Sequence, residues 1–260
     1  MSTWIRRILM AVSLLVFVFA AATVAAVKYS YSVDRRLYAA TAESFTEAVP
    51  REELQRREEE KRLCAPISVD LQGLRAQNPD IVGWIWCEDT VINYPVLQSD
   101  DNDRYLRRTY DGKYSASGSI FVEALNHMGF ADYNTVVYGH NMRSNDMFAG
   151  LKYWQDPDYA AAHPVMYLLT EQGDWRIDLL SAYTTSAYSE TYTIYLAPGT
   201  ELDDYIARAR SLSAVDFGVE PQPNAKYVLL STCAYLFDDA RYVVHGMLTP
   251  CDSVCGRLAE

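Results

Sequence analysis

Cys233 ends one apolar run, "YVLLSTC", and Arg241 opens another, "RYVVHGML", eight residues later. A thiol attacks as its thiolate, so a nucleophilic cysteine needs a base or a positive field beside it. If the two runs are antiparallel strands joined by the short "AYLFDDA" loop, Arg241 returns to the neighbourhood of Cys233. A guanidinium there is always charged and presents several donors to a developing oxyanion. The base must come from elsewhere in the chain. His140, in "VVYGHNM", also follows an apolar run, and Gly139 before it allows unusual backbone geometry. His127, in the "EALNHMGF" loop, is a weaker rival. His163 precedes Pro164 at a helix-to-strand joint and looks structural. His245 alternates with Val244 inside the last run and faces one side of a sheet without catalytic duty. Taken singly, each residue has a plainer role: a buried thiol, half of a disulfide, a packed histidine. The case for chemistry is the combination of His, Cys and Arg, each at the end of a strand-like run. Asp238 and Asp239 are turn residues or partners for Arg241.

The elements that would position these residues are mostly short. "IVGWIWCEDT", "VINYPVLQ", "SGSIFVEA", "NTVVYGHN", "PVMYLLT" and "DWRIDLLSAYTTSA" are β-type runs, the last two joined by a turn at Glu171-Gln172-Gly173. "SNDMFAGLKYW" has helical spacing, with Ser144 or Asn145 as its cap. "DPDYAAAH" predicts a short helix with Pro157 in its first turn. "SVDLQGLRAQNPD" predicts another, capped by Ser68 and stopped at Asn78-Pro79. "GTELDDYIARARSL" is amphipathic, with Leu202, Tyr205, Ile206 and Ala209 on one face. Many short strands with few, brief helices imply a closed or nearly closed β-barrel with helical insertions.

Before the barrel, Arg6 and Arg7 precede an uncharged apolar run from Ile8 to Val27, 20 residues long. That length crosses about 30 Å of hydrocarbon as a helix, and the arginines set the short N-terminus in the cytoplasm. A cleaved signal peptide is the competing reading, because "AATVAA" is rich in small residues. The run exceeds an ordinary signal core of about 7–15 residues, which favours a retained anchor. The charged stretch from Asp34 to Arg62, interrupted by Pro50, reads as a helical stalk with a solvated surface. The expected layout is residues 1–7 in the cytoplasm, 8–27 crossing the membrane, 28–66 as stalk and linker, 67–250 as the catalytic domain and 251–260 as a tail.

A net charge of −11 and a sequence pI near 4.8 argue against a nucleic-acid surface. With 20 Tyr, 8 Phe and 5 Trp the composition is that of a packed domain. The five cysteines (64, 87, 233, 251, 255) are an odd number, so outside the cell at least one stays free or pairs between molecules. Cys251 and Cys255 are spaced to close a short bridge. No CxxC pair or histidine spacing suggests a metal, and no cofactor is expected.

"LLSTC" followed by Arg241 resembles the TLxTC…R signature of the sortases, membrane-anchored cysteine transpeptidases of Gram-positive cell surfaces. Leu229 stands where the signature has its first Thr. "NTVVYGHNMRSNDMFAGLKYW" resembles the segment around the sortase histidine, above all in class B. "GSIFVEALN" and "STCAYLFDDARYVVHG" resemble class B as well, and the 200–212 helix matches that class's extra helix before the Cys-bearing strand. The likeness covers roughly Asp70 to Leu248. His140 precedes Cys233 by 93 residues, the reverse of papain-like proteases, and there is no Gly-x-Ser-x-Gly elbow.

The resemblance implies a mostly β fold: a closed barrel of about eight strands, with N-terminal helices. It implies that Cys233 attacks the carbonyl after Thr in a C-terminal sorting motif, His140 moves protons, and Arg241 holds the oxyanion. Ser231 and Thr232 would line the substrate groove, and Tyr235 with them, although packing accounts for Tyr235 equally well. The implied partners are secreted proteins with a sorting signal, and an amine of peptidoglycan or a pilin Lys as acceptor. The implied location is the outer face of the cell membrane. The alternatives are a membrane-tethered cysteine hydrolase on the same scaffold and a non-catalytic surface binding module.

Overall fold

The apolar run from Ile8 to Val27 and the charged stretch after it form one continuous helix, α1 (Thr3–Phe45), in this computed structural model, which describes residues 3–59, 63–233 and 238–252. The helix is long and apolar enough to cross a membrane, with a mean hydropathy of 2.7 over its most apolar 18-residue window. Its last third behaves differently from a solvated stalk. Asp34, Tyr38, Thr41 and Ala42 recur at helical spacing and are buried. Asp34 accepts from Ser115 Oγ at 2.6 Å and Ser117 Oγ at 2.7 Å. The Thr41 and Tyr110 hydroxyls lie 3.0 Å apart. The helix thus docks on the barrel from residue 34 onward. It stops at Phe45, five residues before Pro50. The chain then adds β1 (Thr46–Ala48), and Pro50 precedes α2 (Arg51–Glu59). β1 pairs with β2 (Ile67–Val69) as a small antiparallel sheet outside the barrel.

α3 (Leu71–Gln77) follows at once. Its cap is Asp70, whose carboxylate accepts from Gly73 N at 2.8 Å. The expected cap, Ser68, is committed to β2 instead. Asn78 closes the helix, as the Asn-Pro step predicts.

The barrel strands are β3 (Ile81–Trp86), β4 (Asn93–Leu97), β5 (Ile120–Val122), β6 (Asn134–Tyr138), β7 (Val165–Thr170), β8 (Gly173–Ser186), β9 (Lys226–Cys233) and β10 (Ala240–Cys251). They close in the order β10-β8-β7-β3-β4-β5-β6-β9. Closure removes every free edge. Two pairs, β4/β5 and β6/β9, are parallel, and the other neighbours are antiparallel. The β-type runs therefore all become strands, in one mixed and closed sheet.

Trp84, Ile85, Ile120 and Leu168 are buried in the main apolar cluster that packs on the barrel strands. Trp84 lends its indole N–H to Asn93 Oδ1 at 2.8 Å, which leaves no buried donor unmet on the largest ring. Between β6 and β7 the chain makes a 3-10 helix (Ala149–Gln155) and α4 (Pro157–Ala162). α4 has Pro157 in its first turn and is capped by Asp156, which accepts from Asp158 N and Tyr159 N. α5 (Thr200–Leu212) covers β8, with Leu202, Tyr205, Ile206 and Ala209 as its buried face. Cys64, Cys87 and Cys251 are free thiols. The Cys251–Cys255 bridge that the spacing allows involves a residue outside the described ones.

Candidate active site

The parallel pairing of β6 with β9 decides where the site forms. Parallel strands end on the same rim, and β10, antiparallel to β9, begins on that rim. Tyr138 is opposite Ser231, and Gly139 N donates to Ser231 O at 3.1 Å. Carrying that register on by two residues sets His140 level with Cys233. On the other side of β9, Arg241 of β10 is directly opposite Cys233. The hairpin expected between Cys233 and Arg241 is present, and its turn holds Asp239 at φ +60. Arg241 Nη1 donates to Ala240 O at 2.9 Å. Neither Asp238 nor Asp239 pairs with Arg241 among the described residues; Asp239 instead accepts Ala187 N through its carbonyl, at 2.9 Å. Tyr235 lies outside the described residues.

His140 is held by backbone. Its Nε2 donates to the Leu106 carbonyl at 2.7 Å, which fixes the proton on that nitrogen and leaves Nδ1 with the lone pair in the neutral ring. Partial burial lowers its pKa, and the positive Arg107 nearby lowers it further, against the raising effect of the Leu106 hydrogen bond. The Leu106 carbonyl is itself fixed by a close backbone approach. Gly118 has φ +57, and a Cβ there would stand 2.7 Å from the carbonyl oxygens of Tyr105 and Leu106. Gly139 serves a purpose other than the one its sequence suggests. It does not adopt the left-handed region. A Cβ there would meet Ile120 Cδ1 at 2.5 Å and Phe148 Cδ2 at 2.7 Å. Glycine is needed for close packing beneath His140.

The segment after His140 is a tight loop rather than the start of a helix. Asn141 bridges Met147, and Phe148 N donates to His140 O at 3.1 Å. Asn145 (φ +63) and Met147 (φ +57) are both left-handed, and Met147 N donates to Tyr94 OH at 3.0 Å. These bonds use the amides that a cap at Ser144 or Asn145 would need, so the helical turn begins at Ala149.

Around this rim lie aromatic groups that the sequence does not single out. Tyr138 donates its hydroxyl to Glu123 Oε2 at 2.9 Å and stacks on Tyr192 with ring centroids 6.3 Å apart. Burial, then the adjacent Glu123, drives the Tyr138 pKa far up, so it stays a phenol. Tyr192 OH and Ser231 Oγ are 2.8 Å apart. Ser231 and Thr232 are both buried, and as neighbours on β9 they point to opposite faces of the sheet. Tyr138 has a sequence signal, its place two residues before His140 on an apolar run. Leu106 has none, because it acts through a carbonyl that every residue type carries.

The remaining histidines sit away from the rim. His127 Nδ1 pairs with Asp132 Oδ1 at 2.7 Å in the β5–β6 loop, at the opposite end of β6 from His140. His163 stacks on Tyr159 at 4.2 Å and lends its carbonyl to Trp154 Nε1 at 2.8 Å, a structural role. His245 is fully buried between Ser181 and Tyr205.

Residues 85–249 match the sortase domain family. Sortase B of Listeria monocytogenes is 33% identical over 181 residues, covering 69% of this chain and 74% of that protein. The chain belongs to the sortases, and among them to class B. The sortase B structure from Clostridium perfringens is 33% identical, with a TM-score of 0.63 over 69% of this chain and 100% of that one. That from Bacillus anthracis, in complex with AAEK1, is 28% identical with a TM-score of 0.71 over 86% and 100%. This sortase is a cysteine transpeptidase with the closed eight-stranded barrel of its class.

Proposed function

We propose that Cys233, His140 and Arg241 carry the transpeptidation, and that it runs on C-terminal sorting signals. The observation that carries this reading is the convergence of the ends of β6 and β9 and the start of β10 on one rim. The other described cysteines support the choice of nucleophile. Burial pushes the thiols of Cys87 and Cys251 up to about 12 and raises that of Cys64, so each stays protonated and inert.

His140 Nδ1 takes the Cys233 thiol proton, and the resulting thiolate attacks the carbonyl after Thr in the sorting motif. The tetrahedral oxyanion is held by Arg241 and by a backbone N–H near Cys233. The C–N bond breaks as His140 gives its proton to the leaving amine, and a thioester remains. An amine then attacks the thioester, His140 takes its proton, and Cys233 leaves as thiolate. Because Nε2 is committed to the Leu106 carbonyl, Nδ1 is the nitrogen that gives and takes the proton. One sortase B structure, 27% identical, is complexed with triglycine, which supports an amine as acceptor. The acceptor for this chain is an amine of peptidoglycan.

α1 anchors the protein, with Arg6 and Arg7 on the cytoplasmic side and the barrel outside. Val27 and the docked Asp34 are seven helical steps apart, so the barrel stands only about 10 Å above the hydrocarbon. At that height the rim meets lipid-linked wall precursors.

The test is acyl transfer by the full chain in detergent, using a library of sorting peptides with and without a glycine-peptide amine. Ping-pong kinetics and an amine-dependent ligation product are expected, with a thioester adduct visible by mass spectrometry. Cys233→Ala should abolish both. Retained transfer in Cys233→Ala, or a product distribution indifferent to the amine, would overturn the reading.

A further inference from the structure

We infer that the docked last third of α1 is a positioning element for His140, acting through Arg35 and Tyr38. The inference rests on the reading of His140 as the acid–base group. Two independent paths lead from α1 toward His140, one to the loop that follows it and one to the backbone carbonyl that its ring bonds. On the first, Arg35 grips the loop that His140 opens. Its Nε and Nη2 reach the two oxygens of Asp146, each at 2.9 Å, and Nη2 also donates to Ser144 O at 2.8 Å. On the second, Tyr38 OH donates to Gly118 O at 2.6 Å. Gly118 is the residue packed against the Leu106 carbonyl, and that carbonyl accepts His140 Nε2.

The loop gripped by Arg35 needs holding. Asn145 and Met147 on either side of Asp146 are in the left-handed region, which is unfavourable for residues with a Cβ. Surrounding contacts must over-determine such a conformation for it to persist. A cleft of about 470 Å³ opens between helix and loop, lined by Arg35, Tyr38, Tyr94 and Met147 among others. The bidentate ion pair therefore closes the helix on the loop, and its planar fork fixes distance and direction together. Arg35 is 59% exposed on its side chain while Asp146 is 13% exposed. A half-exposed pair adds little to global stability, so its loss registers in loop order and not in unfolding. Because α1 is a single helix from the apolar run to Phe45, the same rigid element that enters the membrane braces the acid–base residue.

The test uses the full chain in detergent or nanodiscs. Arg35→Gln is expected to lower kcat about tenfold with KM changed less than about twofold, since misplacement of one reacting group acts on the chemical step. Arg35→Lys should recover only part of the rate, lacking the fork. Tyr38→Phe, which removes one buried hydroxyl, should lower kcat in the same way. In both Arg35→Gln and Tyr38→Phe the His140 titration, followed by imidazole NMR, should move up toward an ordinary histidine as the ring loosens into water. The double charge swap Arg35→Asp with Asp146→Arg should recover most of the rate that Arg35→Asp alone loses. Arg210→Gln, which removes the pair between Arg210 on α5 and Glu220 in the chain beyond that helix, is the remote control and should behave as wild type. Wild-type kcat and an unmoved His140 titration in Arg35→Gln and Tyr38→Phe would overturn the inference. If the unaltered chain shows no acyl transfer, the functional reading fails, and the NMR titration still decides whether α1 positions the ring.

Discussion

His245 should make this sortase lose stability as pH falls below 6.5, by an amount the structure lets one work out. The ring is completely buried, with Nδ1 2.9 Å from Ser181 Oγ and Nε2 2.8 Å from Tyr205 OH. Tyr205 in turn donates to Thr191 O at 2.7 Å. One neutral tautomer satisfies this network: Nε2–H donates to the Tyr205 oxygen and Nδ1 accepts from Ser181. A second proton would put a charge where no carboxylate among the described residues offsets it, and the pKa falls to about 3 by burial, then by repulsion from Arg208. The folded pKa is depressed below the ordinary 6.5. Between the two values the unfolded chain binds the proton and the folded chain does not, so unfolding is favoured as pH falls. Stability is fully present above 6.5 and declines toward 3. At pH 5.0 the loss is about 1.36 kcal/mol per unit over about 1.5 units, or about 2 kcal/mol relative to pH 7.5. For a domain of this size that is about 4–8 °C in Tm. The assay is thermal unfolding by tryptophan fluorescence at both pH values, for wild type and His245→Phe. Phenylalanine keeps a ring stacked on Tyr183, from which the His245 ring is 5.6 Å at 13°. The variant is expected to start lower, because Ser181 loses its partner. Its loss between about pH 7.5 and 5.0 should be about 2 kcal/mol smaller than that of wild type. Equal losses in the two proteins, within about 0.5 kcal/mol, would refute the argument that His245 stays neutral.

Two further outcomes follow from the His140 surroundings. Gly139→Ala forces a Cβ into Ile120 and Phe148 at 2.5 and 2.7 Å; over-packing of this kind costs about 1–3 kcal/mol, so a fall in Tm is expected together with a fall in kcat, and a variant with wild-type Tm would show that the two side chains yield freely. Arg107→Gln removes a positive charge that lowers the His140 pKa, so an imidazole titration by NMR should move up, and no movement would mean that water screens Arg107 completely.

Local chemistry made much of this protein legible in its sequence. The β-type runs are strands because their apolar and β-branched content suits a pleated, half-buried surface. α5 is evident because Leu202, Tyr205, Ile206 and Ala209 repeat at the helical period and are all buried. Where sequence reasoning failed, long-range contacts had taken over local groups. Ser68 has the side chain of a cap but is paired in β2. Ser144 and Asn145 look like a helix start, yet the amides that follow are bonded to Tyr94 and to His140. Gly139 suggests a special φ, but what it supplies is the absence of a Cβ. The docking of α1 was hidden because Asp34, Arg35 and Thr41 are polar. A stretch so rich in charge looks solvated unless one knows that Ser115, Ser117, Asp146 and Tyr110 wait on the barrel.

The topology explains why three residues so far apart in sequence could be suspected together. An antiparallel hairpin alone brings Arg241 beside Cys233, and that much is local. His140 is 93 residues away, and an antiparallel β6/β9 pair would have sent it to the far rim, where His127 now lies. The parallel pair requires a long crossover, and the chain between β6 and β9 supplies it with α4, β7, β8 and α5. The extra helix of this class is therefore part of the connection that brings His140 and Cys233 to one rim. One of its ties to β10 is the His245–Tyr205 hydrogen bond, four residues on from Arg241 near the start of that strand. Loosening that contact with acid would act on the strand that presents the guanidinium, which links the stability expected of His245 to the geometry of the rim.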